Sequence, residues 1–453
     1  MLWTIADGQL TIEEEGEAMS DIISRTQKFL KKWGVSPDCV EMHAILEQFD
    51  REMQAGLEGH PLSLPMIPTY IEVSKKVPTQ KAVIVLDAGG TNFRTSLVSF
   101  REDGTPVISD FKKTAMPGIK EEVSAKDFFR IFADEVERLI DKSDNIGFCF
   151  SYAARITPEH DGIPLMFSKE IKASEVLGKP LGKNLLDELA RRGHDVSKKK
   201  VAVLNDTVAT LLAGQAASQG KEYGGFIGFI LGTGTNVAYD EENGNIKKLQ
   251  GLPEGRQIIN VESGNFAARG GALDDEFFST TKQPDQYHFE KMISGAYLGG
   301  QCELSIDHAI GEGILSKTFA ERFNMVKPLS TTVMSNYLEM PFNKDYALVK
   351  CVDGNEDDAL ALWTIIDSLI AKAAKLTAAN LTAAVMKSGL GKDPRRPVCI
   401  NADGTTFYKT EFLKEYTEYY LHMYLQNECG RYAQLVRIDD SPTIGAAIAG
   451  LCI

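Results

Sequence analysis

The sequence has 453 residues, of which 43% are hydrophobic and 25% are charged, and its formal net charge is −14 at pH 7. This composition is ordinary for a soluble globular protein and argues against a disordered chain, a collagen or a membrane bundle. The length predicts two domains or two lobes around a cleft, and the negative charge argues against a general basic surface that would attract nucleic acid or an anionic membrane.

The cysteines and histidines show no spacing typical of a disulfide framework or a metal site. The seven cysteines are scattered without a CxxC pair, which fits a reducing cytoplasm. The seven histidines contain no HExxH motif, which disfavours a transition-metal site. The N-terminal segment lacks the basic region of a targeting signal, and the apolar runs are shorter than the ~20 residues that span a bilayer. We therefore expect a cytoplasmic protein with no nucleic-acid or membrane partner.

Hydrophobic periodicity predicts alternating helices and strands in the first half of the chain. It predicts an amphipathic helix from Met19 to Gly34, and two prolines make residues 63–71 an expected irregular connector. The elements expected next, in chain order, are a strand–turn–strand unit at 81–100, a helix at 127–142, a strand at 145–154, a helix at 184–193, a strand at 199–206 and a helix at 207–220. This alternation is typical of α/β folds.

The second half begins with a weak internal repeat. Residues 224–239 again place a turn of glycine, threonine and asparagine between two β-prone runs, as residues 81–100 do. The rest is mostly helical, with a long helix predicted at 357–389, a strand at 397–401 and a helix at 411–426. The repeat predicts that two similar turns serve one site.

Both glycine turns have the chemistry of an anion site. Gly89 and Gly90 lack Cβ atoms, so they allow backbone amides to approach a ligand in conformations that other residues resist. The second turn, residues 232–236, adds threonine hydroxyls as donors, so two facing turns can grip a polyphosphate. Each turn alone fits a tight β-hairpin equally well. A P-loop and a Rossmann site are disfavoured because neither motif is complete.

A carboxylate lies between the two turns in sequence. Asp206 follows a short apolar run at a predicted strand-to-helix junction, where catalytic groups often lie in α/β folds. It is a candidate general base. Taken alone, the residue fits a helix cap better, because aspartate commonly has that role.

Together these segments resemble the hexokinase family, which shares a two-lobed nucleotide fold with other sugar kinases, actins and heat-shock ATPases. The segments similar to its nucleotide motifs are LDAGGTNFR (86–94), LNDTVATLL (204–212), FILGTGTNVAY (229–239) and INADGTTFYK (400–409). The segments similar to its sugar-side motifs are GFCFSYAARIT (147–157), FSKEIKASEVLG (167–178), INVESGNF (259–266) and FEKMISGAYLGG (289–300). The motifs occur in family order, from about residue 65 to the C-terminus.

The resemblance implies a two-lobed α/β fold of the actin-like ATPase (ribonuclease H-like) type with a central cleft. Residues 75–208 and the C-terminal helix 441–453 would form the small lobe, and residues 209–440 the large lobe. Residues 1–74 would be a helical leader and connector that packs on the large lobe.

The resemblance also implies an ATP-dependent hexokinase, which transfers the γ-phosphoryl group of MgATP to the C6 hydroxyl of a hexose, with glucose as the leading substrate. Asp206 would accept the hydroxyl proton, and Lys169 would orient the sugar and the phosphoryl group. The residues implied in sugar binding are Ser151, Ser168, Lys169, Asn205, Asp206, Asn236, Glu262 and Glu290.

On the nucleotide side, the resemblance places Asp87 near Mg²⁺, through water. The residues implied in ATP binding are Asp87, Gly89, Gly90, Thr91, Asn92, Arg94, Gly232, Thr233, Gly234, Thr235, Asp403, Gly404 and Thr405. Arg94 fits an ordinary salt bridge beside the hairpin equally well.

The chain departs from the family pattern at two sugar-side positions. The FSFP motif of the family reads FSYA here, at residues 150–153, and Ser263 replaces the usual tryptophan after the sugar-binding glutamate. These changes predict a reshaped sugar pocket. The adenosine motif is one residue longer than usual, and SPTIGAAIAG (441–450) replaces a more glycine- and lysine-rich final motif. These altered final motifs leave open a sugar sensor or regulatory protein that keeps the pocket and has weak or lost turnover. The retained Asp206 and Lys169 argue against the sensor. A plain actin-like or heat-shock-like ATPase is a third alternative, for which the sugar-side segments would have no purpose.

Overall fold

The computed structural model describes residues 8–73, 78–167, 171–217 and 221–453. Its α-helices, in chain order, are α1 Gly8–Trp33, α2 Met42–Glu58, α3 Ala125–Val136, α4 Leu181–Arg191, α5 Asp206–Gly214, α6 Ala272–Thr280, α7 His288–Ile293, α8 Leu298–Gly311, α9 Lys317–Phe323, α10 Thr331–Glu339, α11 Ala347–Val352, α12 Glu356–Ser388, α13 Thr405–Lys409, α14 Leu413–Tyr420 and α15 Ser441–Leu451. Its strands are β1 Ile67–Pro68, β2 Val83–Ala88, β3 Asn92–Phe100, β4 Pro106–Ala115, β5 Asn145–Phe150, β6 Ala154–Ile156, β7 Gly162–Pro164, β8 Lys200–Leu204, β9 Gly225–Leu231, β10 Thr235–Glu242, β11 Arg256–Asn260, β12 Val398–Asp403 and β13 Ala433–Val436.

Two mixed sheets with the same internal order form the frame of the molecule. The first has the order β4-β3-β2-β5-β8, and the second has the order β1-β11-β10-β9-β12-β13. In each sheet an antiparallel hairpin pairs with a third antiparallel strand on one side and with two parallel strands on the other. The internal repeat predicted from the sequence is therefore confirmed. Each glycine turn joins the two strands of its sheet's hairpin, β2 and β3 in the first sheet and β9 and β10 in the second.

Helices α5 and α15 pack between the two sheets, and each helix covers one of them. Helix α5 lies on β9, α15 lies on β2 and β5, and the two helices contact each other. Their backbones approach closely because glycines lie at the contacts. A Cβ atom at Gly445 would overlap the carbonyl of Ala209, and one at Gly147 would overlap the carbonyl of Ala446. The two halves are thus joined through a tightly packed helix pair.

Helix α12 is the central helix of the second half. Every residue from 369 to 385 is buried, as expected of a helix that is covered on all sides. Helices α1 and α2 pack against it, so the N-terminal helices lie on the half built around the six-stranded sheet. In the part of the chain that the structure describes, no helix combines the length and the apolar character that crossing a membrane requires.

Most predicted elements are confirmed, and the boundaries differ in instructive ways. The helix predicted to begin at Met19 begins at Gly8. The prediction used apolar periodicity, which does not detect the glutamate-rich segment before Met19, although glutamate favours helix. The strand predicted at 145–154 ends at Phe150, and the chain re-enters β structure only at Ala154. The predicted lobe boundary at residue 208 falls inside α5, and the division into lobes by residue number stays a prediction.

Candidate functional site

The candidate site lies where the ends of β2, β5 and β8 approach residues of the six-stranded sheet. A narrow cavity is lined on one side by Tyr152 and Asn205, which follow strands of the five-stranded sheet, and on the other by Thr69 and Asn260 of the six-stranded sheet and its flanking residues. Parallel β5 and β8 lie side by side, so the residues that follow them meet at one edge, as in other α/β folds. Residues from both halves therefore meet at this edge.

The first glycine turn is a tight hairpin with exposed amides. The Gly89 amide donates to the Asn92 carbonyl at 3.0 Å, and the Tyr152 hydroxyl donates to the carbonyls of Gly89 and Gly90. Neither glycine has a positive φ, so the turn does not need their conformational freedom. A Cβ atom at Gly90 would meet no protein atom within 4 Å. This open space agrees with the predicted close approach of a ligand, and the hairpin interpretation is also confirmed.

The second glycine turn is tied to two other segments. The Gly232 amide donates to the Gly234 carbonyl at 2.9 Å, and the Gly232 carbonyl accepts from the Gly295 amide at 2.9 Å and from the Thr406 hydroxyl at 2.8 Å. Glu290 lies so close to Gly234 that a Cβ atom there would overlap its carboxylate. A side chain at position 234 would therefore have to displace the Glu290 carboxylate.

Two residues predicted for different ligands contact each other at this turn. The carboxylate of Glu290 accepts a hydrogen bond from the Thr235 amide at 3.1 Å, and the Thr235 hydroxyl donates to the Ile230 carbonyl at 3.0 Å. Thr235 thus holds Glu290 in place, whereas the exposed Thr233 lies at the tip of the turn.

Asp206 is the first residue of α5, and its neighbour supplies the helix cap. The side chain of Asn205 accepts a hydrogen bond from the Thr207 amide at 2.9 Å. The cap interpretation of Asp206 is therefore wrong, because Asn205 performs that role. The Asp206 carboxylate accepts hydrogen bonds from the hydroxyls of Ser151 and Thr207.

Burial raises the pKa of Asp206 to about 6, although these hydrogen bonds act in the opposite direction. The negative charge of Asp87 raises the pKa further. A carboxylate with a pKa near neutrality can take up and release a proton under physiological conditions. The arrangement is suited to proton transfer.

Asp87 lies on β2, and its side chain is only 4% exposed. Arg94 on β3 contacts it at 2.6 Å, which bears out the salt-bridge interpretation of Arg94. Burial nevertheless raises the pKa of Asp87, and the charges of Asp403 and Asp440 raise it further, whereas Arg94 lowers it. Carboxylates from both halves of the chain therefore concentrate negative charge here.

The segment predicted to contact adenosine follows β12. The Gly404 amide donates to the Asp403 carboxylate at 2.6 Å, and a positive φ of 121° shows why glycine stands at position 404. A Cβ atom there would also overlap the carbonyl of Leu231, just before the second turn. Thr405 begins α13 and is exposed. The structure thus places the adenosine segment beside the second turn.

The sugar-side carboxylate Glu262 ends a chain of buried amides. The Asn236 side chain donates to the Asn260 side chain at 2.7 Å, which donates to the Glu262 carboxylate at 2.8 Å. Burial raises the pKa of Glu262 to about 7, and the charges of Asp206 and Glu290 contribute. Glu262 has a φ of 57°, a strained conformation typical of functional sites.

Several of these contacts involve residues that the sequence did not single out. Asn260 orients Glu262, but β11 ends at Asn260, so the alternation of side chains along a strand gives no signal for this contact. The Tyr287 hydroxyl donates to the Met166 sulfur at 3.6 Å across the cleft. Burial is the largest cause of the raised pKa of Tyr287, and the charge of Glu262 raises this pKa further. No sequence pattern indicates this contact.

Two predicted residues, Ser168 and Lys169, lie outside the described residues. Among the residues that the structure does describe, no group of three or more histidine, cysteine or acidic side chains could hold a metal ion. A magnesium ion would therefore need phosphate oxygens or water as most of its ligands, which is how proteins commonly hold it.

Models of the hexokinase family match the chain over residues 25–216 and over residues 226–452. Hexokinase of Schistosoma mansoni is 25% identical over 456 residues, which cover 95% of this chain and 98% of that protein. Hexokinase-3 of Mus musculus is 29% identical over 385 residues, which cover 81% of this chain. The chain spans only 41% of the length of that mouse relative.

Solved hexokinase structures share the fold. The structure of Schistosoma mansoni hexokinase complexed with glucose has a TM-score of 0.77 at 24% identity and covers 96% of this chain and 100% of its own. A second hexokinase crystal structure has a TM-score of 0.74 at 22% identity and covers 96% of this chain and 99% of its own. The two-lobed α/β fold is therefore that of the hexokinases, and because the family models together match most of the sequence, the chain belongs to the hexokinase family.

Proposed function

We propose that this protein is an ATP-dependent hexokinase that transfers the γ-phosphoryl group of MgATP to the C6 hydroxyl of a hexose, with glucose as the leading substrate. The position of the Asp206 carboxylate carries the proposal. The charge of Asp87, beside the first turn, raises the pKa of Asp206. The charge of Asp206 in turn raises the pKa of Glu262. One carboxylate therefore lies within electrostatic reach of the proposed nucleotide and sugar residues.

In this proposal Asp206 is the general base. Because its pKa is about 6, the Asp206 carboxyl group is mostly ionised at pH 7. The hydroxyls of Ser151 and Thr207 donate to the carboxylate and fix its orientation, so an oxygen can accept the proton of a sugar hydroxyl. Such positioned proton transfer is worth roughly 100- to 10,000-fold in rate.

The amide chain that ends at Glu262 supports a polyol as the acceptor. Asn236 and Asn260 fix the glutamate, so its free lone pairs are positioned for hydroxyl donors. A ligand without matching hydroxyls would leave buried acceptors unpaired, and this discriminates strongly between ligands. The Schistosoma relative is described with glucose, which supports glucose as the first hexose to test.

On the nucleotide side, MgATP would supply the phosphoryl group, and this chain would supply donors and counter-charge. The amides of the exposed residues Gly90, Thr91 and Thr233, and of the half-buried Gly234, are suited to phosphate oxygens. Asp87 is the carboxylate that would attract the cation, through water. Asp403, Gly404 and Thr405 would lie near the adenosine.

The proposal predicts ADP release that depends on a hexose. The test measures ADP release with MgATP and a panel of glucose, mannose, fructose and glucosamine, with the sugar phosphate identified by mass. Rapid release with one or a few sugars supports the kinase and ranks its substrates. Measurable sugar binding without release would favour the sensor, and rapid release without any sugar would favour a plain ATPase.

An Asp206→Asn variant tests the proposed role of Asp206 as the base. It keeps the size of the side chain and one of its two acceptor oxygens and removes the base, so transfer should fall at least about 100-fold. Hexose binding, measured by calorimetry, should change little. A nearly normal rate in this variant would remove Asp206 from the mechanism.

A further inference from the structure

The side chain of Tyr152 contacts the first glycine turn. Its ring is only 4% exposed and packs against Phe150 and Phe167, with ring centroids 5.1 and 5.4 Å away. Its hydroxyl lies 3.2 Å from the carbonyl oxygen of Gly89 and 3.0 Å from that of Gly90. One hydroxyl proton is shared between two carbonyls, so this side chain restrains two successive peptide groups of the turn.

The restraint on the carbonyls also sets the direction of the amides. In a planar trans peptide, the C=O of one residue and the N–H of the next point in opposite directions. Since Tyr152 binds the carbonyls of Gly89 and Gly90, the N–H groups of Gly90 and Thr91 point away from it. Both residues are exposed, and within the described ranges neither amide has a hydrogen-bond acceptor. Successive amides with this direction form a concave anion site.

We propose that Tyr152 is a positioning residue for phosphate binding, because its hydroxyl fixes the turn so that the amides of Gly90 and Thr91 are directed at the phosphate groups of a nucleoside triphosphate. The inference rests on the proposed function, which supplies the anion. Preorganisation of a turn improves affinity because less freedom is lost on binding.

The neighbouring residue separates this role from sugar binding. Ser151 donates its amide to the Ala88 carbonyl at 3.1 Å and its hydroxyl to Asp206. Neither bond involves the Tyr152 hydroxyl. Loss of that hydroxyl should therefore weaken nucleotide binding and leave the sugar contacts of Ser151 and Asp206 in place.

The test compares Tyr152→Phe with a matched control, Tyr337→Phe. The Tyr337 side chain is also buried, and its hydroxyl donates to the Ala359 carbonyl at 3.0 Å, so the control loses the same type of hydrogen bond away from the turn. Calorimetry would measure the Kd for Mg²⁺ with the β,γ-imido analogue of ATP, and separately the Kd for glucose. Melting temperatures and steady-state constants would be measured in parallel.

We expect Tyr152→Phe to raise the Kd for the analogue and the KM for MgATP by about 2- to 10-fold, the scale of one hydrogen bond. The glucose Kd should stay within about 1.5-fold, and Tyr337→Phe should change neither ligand Kd by more than that. An unchanged analogue Kd in Tyr152→Phe, or an equal rise in Tyr337→Phe, would overturn the proposal. If the wild-type chain binds the analogue but phosphorylates no hexose, the proposed function fails. The comparison of the analogue Kd between Tyr152→Phe and Tyr337→Phe then still tests the role of Tyr152. If it binds no nucleotide, both fail.

A second measurement can overturn the proposal even if Tyr152→Phe does not fold. Hydrogen exchange would be followed at the amides of Gly90 and Thr91 in the wild-type chain, with and without the magnesium-bound analogue. We expect both amides to exchange more slowly with the analogue, since they would donate to phosphate oxygens. Unchanged exchange at both amides, at an analogue concentration that saturates the chain, would overturn the proposal.

Discussion

Replacing the proposed base should stabilise the protein at neutral pH. Burial raises the pKa of Asp206 from 3.8 to about 6, so the folded state disfavours the ionised carboxylate that the unfolded chain carries freely. Each pKa unit corresponds to about 1.4 kcal/mol, which gives about 3 kcal/mol as an upper value. Because the side chain is partly exposed, water screens part of this cost, and we expect Asp206→Asn to gain about 1–3 kcal/mol.

The gain should depend on pH in a defined direction. A carboxyl group whose folded-state pKa is raised contributes its full stability below about pH 4, and the contribution is lost as the pH rises through about 6. The variant lacks this titration. Asp206→Asn and the wild-type chain should therefore be about equally stable near pH 4, and the variant should be more stable at pH 7.5.

Thermal unfolding by calorimetry at both pH values measures the effect. With 453 residues, an unfolding entropy of about 2 cal/mol/K per residue makes 1 kcal/mol equivalent to about 1 °C. The expected rise at pH 7.5 is thus about 1–3 °C. Asp393→Asn is a control that should change the stability in the opposite direction. Arg395 lowers the pKa of Asp393 to about 2, so removal of the Asp393 charge should lower the stability at pH 7.5. An Asp206→Asn variant that is equally or less stable than the wild type at pH 7.5 would refute the assigned desolvation.

Three further outcomes are expected. The kcat/KM for hexose should fall as the pH is lowered through about 7 to 6, because the coupled carboxylates Asp206 and Glu262 take up protons, and a flat profile between pH 5 and 8 would contradict this assignment. Gly234→Ala should raise the KM for hexose at least about tenfold, because its methyl group would displace Glu290. Gly244→Ala adds a methyl group in open space and should leave this KM unchanged. Equal effects of the two substitutions would refute the steric argument. Removal of Mg²⁺ with EDTA should abolish phosphoryl transfer and leave hexose binding measurable, and full turnover without the metal would exclude the proposed role of the cation.

Local chemistry made much of the fold predictable. The two glycine turns, each between β-prone runs, predicted hairpins, and both occur at equivalent places in two sheets of the same order. Helix α12 was predicted almost to the residue because its apolar run ends at Gly389, which adopts a φ of 73°. Such signals depend only on neighbouring residues, so a single sequence contains them.

The remaining contacts join residues far apart in the chain, which a single sequence does not specify. The Thr235 amide binds Glu290 because helix α7 returns to the second turn, and neither residue shows a local pattern for this contact. The assignment of the helix cap to Asn205 rather than Asp206 depends on one backbone rotation, since both residue types cap helices.

The two repeats differ in one way that bears on where the cation would bind. In the first sheet, Asp87 stands two residues before the turn glycine Gly89, and in the second sheet Ile230 stands two residues before Gly232. The backbone of both turns is suited to phosphate, but only the first turn has a carboxylate, that of Asp87, on the strand that leads into it, and Asp206 lies close enough to Asp87 for their charges to interact. Under the proposed function, a divalent cation bound to phosphates would therefore be attracted to the first turn, on the side of the proposed base. Duplication would thus supply two similar phosphate grips, and the Asp87–Ile230 difference would fix the direction in which a nucleotide lies between them.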